Sequence, residues 1–100
     1  MAGGGGGRVD KFVPAPNPQS GPAYHFGVFL TARCESLKVK VYSRTMQAVA
    51  EMQIPGSWQP GWNQLAVPLP NLEIGLYYVL IRGDQEAAYG HKPAFLMVIR

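Results

Sequence analysis

Cysteine is nearly absent from this sequence, and its scarcity excludes two classes of small domain. The single residue Cys34 cannot form an intrachain disulfide, so the fold is not a disulfide framework of the kind found in many small secreted domains. It also cannot build a cysteine metal site, which needs several thiolates at fixed spacing. Cys34 precedes a predicted strand, and we interpret it as a packed residue at a strand end rather than a reactive thiol.

Long apolar runs are also missing. No stretch approaches the ~20 apolar residues of a membrane helix, so we expect no membrane insertion. Five glycines at positions 3–7 stand where a signal peptide would need an apolar segment, so we expect no signal peptide in this chain. Residues 1–10 are predicted to be a flexible, glycine-rich tether, and residues 11–100 a single domain that belongs to a larger protein.

Charged residues are few, and they are not clustered in the sequence. Only 15% of the residues are charged, and nine Lys or Arg against six Asp or Glu give a net charge of +3. The basic residues are scattered along the chain, and only Lys38 and Lys40 lie close together on one strand face. Proteins that bind nucleic acids concentrate such residues on one surface, so we expect no nucleic-acid partner.

The motifs of catalysis and metal binding are absent. No serine lies in a Gly-x-Ser-x-Gly elbow, and neither His25 nor His91 has a second ligand at metal-binding spacing. Asp84 and Glu86 are the only close pair of carboxylates, and we expect them to form a solvated loop tip. The sequence therefore predicts a protein that is not an enzyme and has no cofactor and no metal.

What the sequence does contain is alternation of period two. Short apolar segments are separated by Pro, Gly and Asn at intervals of about ten residues, which is typical of an antiparallel sandwich. We predict seven strands, forming an all-β sandwich of two sheets: a short one near Lys11–Val13, then Tyr24–Leu30, Leu37–Tyr42, Ala48–Ile54, Gln64–Leu69, Leu76–Ile81 and Ala94–Ile99.

Several strands have predicted positions in the sheets. Pro68 cannot donate a ladder hydrogen bond, which places Gln64–Leu69 at a sheet margin. The continuous apolar runs Leu76–Ile81 and Ala94–Ile99 indicate central strands or strands covered by a partner chain. Within the first run, Tyr77 is predicted to lie in the core with its hydroxyl bonded at the rim.

One segment allows two interpretations. Residues 46–52 could make two helical turns, but the short link Ser43–Met46 favours a hairpin with the preceding strand. The Pro55-Gly56 pair is expected to end either element.

Four short motifs occur in a fixed order along residues 11–100. They are Pro16-Asn17-Pro18, Leu37–Tyr42 with Gln47-Ala48-Val49, Pro60-Gly61-Trp62-Asn63 and Gly75–Val79, followed by a final strand Ala94–Arg100. In this order they resemble the immunoglobulin-like FlgD-type domains and the C-terminal sorting domains of type IX secretion. The turn Ser43–Met46 departs from the pattern of that family, because it lacks the usual Asn-Gly or Asp-Gly.

This resemblance implies an immunoglobulin-like fold and a non-catalytic accessory role. It implies a C-terminal module of a larger bacterial protein, located in the periplasm or at the cell surface. Its partner would be a protein of an export or assembly machinery. Independently of the resemblance, the strand pattern exposes the edge strand Gln64–Leu69 and the last strand Ala94–Arg100, which could accept or donate a strand. The candidate partner-binding residues there are Gln64, Ala94, Leu96, Val98 and Arg100.

Two tryptophans support an alternative function. Trp58 and Trp62 flank Pro60-Gly61 in a predicted loop, and loops carry binding residues. The two indoles, with Tyr89, could stack on the sugar rings of a glycan. Alternatively, one or both could fold back and cap the open end of the sandwich, which is the interpretation we favour.

Overall fold

The chain forms two antiparallel sheets packed face to face. The computed structural model describes residues 8–69, 72–84, 86 and 93–99. Seven strands lie within these residues. They are β1 (Val9–Pro14), β2 (Ala23–Leu30), β3 (Cys34–Tyr42), β4 (Ala48–Trp58), β5 (Gly61–Pro68), β6 (Gly75–Gly83) and β7 (Ala94–Val98). The prediction of an all-β, immunoglobulin-like sandwich is confirmed.

The strand orders are simple. A three-stranded sheet has the order β1-β2-β5, and a four-stranded sheet has the order β4-β3-β6-β7. The predicted edge position of β5 and the central position of β6 are confirmed. None of the described residues belongs to a helix that is long and apolar enough to cross a membrane.

The core lies between the sheets and follows the predicted alternation. Every second residue over 24–30, 37–41, 65–69 and 77–83 points inward and is buried, as the period of a strand requires. Burial of each large apolar side chain contributes about 1.5–3 kcal/mol to folding. The largest buried side chains include Phe26, Leu30, Leu37, Leu65, Ile81 and Leu96.

The N-terminal boundary of the packed domain differs from the prediction. β1 begins at Val9, inside the range assigned to the tether, and Val9 is fully buried. Its backbone N–H donates a hydrogen bond to Oε1 of Glu86 at 2.6 Å. Residues 1–7 of the predicted tether lie outside the described part of the chain.

β4 is longer than predicted. It runs through Pro55 and Gly56 to Trp58, so the prediction that this pair ends the strand is wrong. β4 lies at the margin of its sheet, where a proline can leave its missing N–H on the solvent side. The predicted hairpin with β3 is confirmed, with Ser43 N–H bonded to the Gln47 carbonyl at 2.8 Å.

β7 lies at the other margin of the four-stranded sheet, yet its free edge is covered. The Asn17 side-chain amide donates to the Phe95 carbonyl at 3.1 Å and accepts from Met97 N–H at 2.9 Å. The backbone of Gln19 then pairs with β7 in parallel, through bonds to Met97 and Ile99. We call residues 17–19 the strap.

Candidate binding face

The outer side of the three-stranded sheet carries a group of exposed aromatic and polar residues. The register places Phe29 between Lys11 and Trp62, and Gly27 between Val13 and Gln64. These two adjacent rows point away from the core. We call the surface formed by Lys11, Val13, Gly27, Phe29, Trp62 and Gln64 the aromatic face.

Trp62 is the most prominent residue of the aromatic face. Its side chain is 58% exposed although it belongs to β5 rather than to a loop. The ring of Phe29, on the neighbouring strand, meets it edge to face, with centroids 5.4 Å apart and an interplanar angle of 77°. This geometry is favoured by the quadrupoles of two aromatic rings, so Phe29 holds the indole in place.

Gly27 leaves room for the indole to lie over β2. A Cβ atom at Gly27 would lie 3.5 and 3.6 Å from two carbons of the Trp62 six-membered ring, and 3.8 Å from Cγ1 of Val13. A larger side chain would occupy the space that the ring now uses. Because β2 has no side chain at this position, Trp62 extends across it towards β1.

Lys11 reaches this face through a bulge in β1. Val9 pairs with Leu30 and Lys11 pairs with Phe29, so Asp10 is an extra residue without a cross-strand partner. The bulge turns Lys11 outward although Val9, two residues earlier, points into the core. The ammonium group lies 5.2 Å from the Phe29 ring centroid and 5.7 Å from that of Trp62. Both separations are within cation–π range.

This chain is similar in fold to the C-terminal domain of wzt. A crystal structure of that domain matches 99% of this chain and 77% of its own, with a TM-score of 0.55 and 14% sequence identity. At this identity the similarity to the wzt domain shows the fold alone. No family model matches the sequence, and no curated protein matches it either.

Two of the predicted binding residues lie on the aromatic face. Trp62 and Gln64 are both exposed on its outer surface. The prediction that Trp62 lies in a loop is wrong, because β4 continues to Trp58 and only Gln59 and Pro60 separate it from β5.

Trp58 has a different role. Its half-buried side chain packs against the core, and a Cβ at Gly56 would lie 3.1 Å from its Cε2 and Nε1 atoms. The capping interpretation is therefore confirmed for Trp58. The Nε1 atom is buried and has no hydrogen-bond partner among the described residues. Tyr89 lies outside those residues.

The predicted contact residues of the last strand have mainly buried side chains. Leu96 and Val98 point into the core and are buried, and Ala94 is half-buried, so β7 presents its other side to solvent. The exposed residues are Phe95, Met97 and Ile99. The prediction that Ala94–Ile99 is a central strand is wrong, because β7 lies at the margin of its sheet. Arg100 lies outside the described residues.

The carboxylates of Asp84 and Glu86 do not form a solvated tip. Asp84 accepts a hydrogen bond from the Glu35 N–H at 3.1 Å, and Glu86 accepts one from the Gly83 N–H at 3.1 Å. Both side chains are part-buried and complete the backbone bonding at one end of the sandwich. Over the described residues, no group of three or more His, Cys, Asp or Glu side chains could hold a metal ion.

Cys34 lies at the same end of the sandwich and is buried. Its burial, and next the negative charge of Asp84, raise the pKa of the thiol. A raised pKa keeps the thiol protonated and poorly nucleophilic. The interpretation of Cys34 as a packed residue is confirmed.

A cleft of about 350 Å³ opens between the margins of β4 and β5. At its base, Tyr77 is buried, and its hydroxyl donates to the Glu73 carbonyl at 2.8 Å, which confirms the predicted rim bond. Burial raises the pKa of this phenol, so it is neutral at physiological pH. The cleft is otherwise lined mainly by apolar residues, including Val49, Ala50, Met52, Leu69 and Leu72.

The residues of the aromatic face that sequence reasoning missed are Lys11, Val13, Gly27 and Phe29. The alternation of β2 placed Gly27 and Phe29 on the same face of the strand, and this was the signal in the sequence that could have identified them. The register that brings both beside Trp62 was not readable from the sequence. Neither was the bulge that turns Lys11 outward.

Proposed function

We propose that this domain is a non-catalytic carbohydrate-binding module and that the glycan binds on the aromatic face. The observation that carries the proposal is the exposed indole of Trp62 on strand β5. Phe29 packs against this indole, and the absence of a side chain at Gly27 leaves room for it. The C–H surface of a sugar ring stacks on such an indole. The polar groups of Lys11 and Gln64 lie on the same surface and can meet sugar hydroxyls.

The rigidity of the face supports this function. Its residues belong to three hydrogen-bonded strands rather than to loops, so little side-chain or backbone freedom is lost when a ligand binds. A large exposed aromatic side chain that packs beside other apolar groups is typical of a binding site. The similarity to the wzt domain supports the sandwich scaffold and adds nothing about the ligand.

The test is a titration of the domain with a panel of soluble glycans, measured by isothermal titration calorimetry, which does not depend on the tryptophan that the variant removes. We expect a saturable binding signal with at least one glycan, and a loss of affinity of at least about tenfold in Trp62→Ala, because stacking on the indole is removed. Trp58→Phe is the matched control, since Trp58 packs against the core and should leave affinity unchanged.

Two outcomes would contradict the proposal. One is a panel in which no glycan gives a saturable binding signal with the folded domain. The other is a glycan whose affinity is the same for the wild type and for Trp62→Ala, since that glycan would bind elsewhere. Circular dichroism of both variants establishes that each is folded.

A protein-interaction role is the second candidate, and one observation favours it. β5 hydrogen-bonds to β2 on one side, and no described residue covers its other edge. Leu69 N–H points to β2, where it bonds the Pro22 carbonyl at 2.8 Å, so the N–H groups of Ala66 and Gln64 alternate to the free side. A partner strand could add there, in export or assembly as in FlgD-like and type IX sorting domains.

This candidate has its own test. The whole chain is fused behind a reporter with a signal peptide in a bacterium that has type IX export. Surface delivery that is lost in Ala66→Pro, which removes one outward N–H, supports strand addition at β5. Retention of the folded wild-type fusion in the periplasm contradicts a sorting role.

A further inference from the structure

We propose that the glycan bound on the aromatic face is anionic, and that the ammonium group of Lys11 is the residue that selects it. This inference rests on the proposed function, because it names the class of glycan for the same site. It commits to sugars that carry carboxylate or sulfate groups. The contact would pair one such group with Lys11 while the sugar ring stacks on Trp62.

The position of Lys11 is the first step. Its ammonium lies within cation–π range of both rings of the face, at 5.2 Å from Phe29 and 5.7 Å from Trp62. These two contacts restrict a side chain that would otherwise sample many rotamers, so the charge is placed before the ligand arrives. The separation between the indole centroid and the ammonium is one that a single sugar residue spans.

The charge of Lys11 is not neutralised within the described part of the protein. No ion pair is formed between Lys11 and any carboxylate there, although the exposed Asp10 is its neighbour in sequence. Strands β2 and β5, which supply the rest of the face, contain no Asp and no Glu. An anionic group arriving at Trp62 therefore meets one positive charge and no fixed negative charge on these two strands.

The charge of the whole chain acts in the same direction. The net charge of +3 attracts a polyanion over a distance of about a Debye length and raises its association rate. A neutral glycan would gain nothing from this field. The local and the overall charge thus favour the same class of ligand.

A glycan fits this surface better than a single-stranded nucleic acid does. Nucleic-acid binding depends on several basic residues that follow the phosphates, and on successive stacking platforms. The aromatic face offers one lysine, and its two rings are inclined at 77°, so that Trp62 and Phe29 cannot both stack on consecutive parallel bases.

The experiment compares glycans that differ only in charge. Polygalacturonate is paired with its fully methyl-esterified form, and dextran sulfate is paired with dextran. We expect at least one anionic form to bind about tenfold more tightly than its neutral partner, and the preference to weaken in high salt. The pair that shows the preference distinguishes a carboxylate ligand from a sulfate ligand.

Matched charge variants locate the effect. Lys11→Gln should remove the preference for the anionic form, whereas Lys38→Gln makes the same change in net charge on the other sheet and should retain it. Equal binding of both members of each pair overturns the inference, as does a preference that survives in Lys11→Gln. A neutral glycan that binds in a Trp62-dependent manner leaves the proposed function standing, whereas binding of no glycan removes both.

A single-stranded oligo(dT) is titrated in parallel. We expect it to bind more weakly than the preferred anionic glycan. If it binds more tightly, and if both Trp62→Ala and Lys11→Gln abolish that binding, the face recognises nucleic acid and the inference is wrong.

Discussion

Gly27 determines where an indole can lie, because it has no side chain. The residue is in the middle of β2, where glycine is usually unfavourable, since it packs nothing and loses much backbone entropy on folding. The absence of a side chain lets the Trp62 ring lie over the backbone of β2 at this position. Glycine at this position lowers the stability of the domain and makes the arrangement of the aromatic face possible.

Substitutions of Gly27 should therefore show separately how the size of the side chain affects glycan binding and how the loss of glycine affects stability. We expect Gly27→Ala to fold, to gain about 0.5 kcal/mol of stability through a less flexible unfolded chain, and to keep its glycan affinity, since a Cβ there lies in ordinary contact distance of Trp62. Gly27→Leu should displace the indole and weaken glycan binding about fivefold. Chemical denaturation and the same titration measure both effects. Equal affinity of the leucine and alanine variants would show that Trp62 does not depend on this space.

At the scale of single elements, the turn between β3 and β4 holds one strained residue. Met46 has φ of 66°, in the left-handed region that glycine adopts without cost. Its N–H still bonds the Ser43 carbonyl at 2.9 Å, so the turn is formed despite the unfavourable side chain. The left-handed conformation is therefore reached in this turn without a glycine.

Met46→Gly should stabilise the domain. Release of the left-handed strain, about 1–2 kcal/mol, outweighs the chain entropy that glycine adds, about 0.5–1 kcal/mol, since Met46 is exposed and its side chain contributes little packing. The midpoint of urea unfolding should rise while the slope of the transition stays constant. Thr45→Gly serves as the control and should lower the midpoint, because it adds chain entropy at a position without this strain. A fall in the midpoint of Met46→Gly would contradict the strain argument.

The strands were predictable because burial on one face imposes alternation, and the core residues of β2, β3, β5 and β6 follow it directly. The candidate site was predictable only in part. Trp62 was recognised as an aromatic residue available for binding, but its place on β5 depends on β4 passing through Pro55. Lys11 was missed because the bulge at Asp10 reverses the direction that alternation assigns to it.

At the scale of the whole molecule, the strap connects the two sheets. The Gln19 side-chain amide donates to the His25 carbonyl and accepts from His25 N–H, both at 2.7 Å, in the manner of a neighbouring strand. The Gln19 backbone pairs with β7 on the opposite sheet. A buried glutamine thus binds one sheet through its side chain and the other through its main chain.

Gln19→Leu should destabilise the domain by about 2 kcal/mol, because it leaves the part-buried His25 N–H and carbonyl without the bonds that the amide supplies. Asn63→Leu, which removes an amide bonded within the exposed β4–β5 turn, is the matched control and should cost less. Urea unfolding measures both variants. A Gln19→Leu loss no larger than that of the control would show that the strap adds little to cohesion between the sheets.

The strap also has a consequence for how copies of this domain meet. A sandwich with two uncovered edges can join edge to edge with further copies, and a repeated head-to-tail contact of this kind grows into an open-ended fibre. Asn17 and Gln19 occupy the hydrogen-bonding groups along β7 that such growth would use. Three residues of an irregular segment therefore block strand addition at this one edge, and a strap that detached would open β7 to pairing with a strand of another copy.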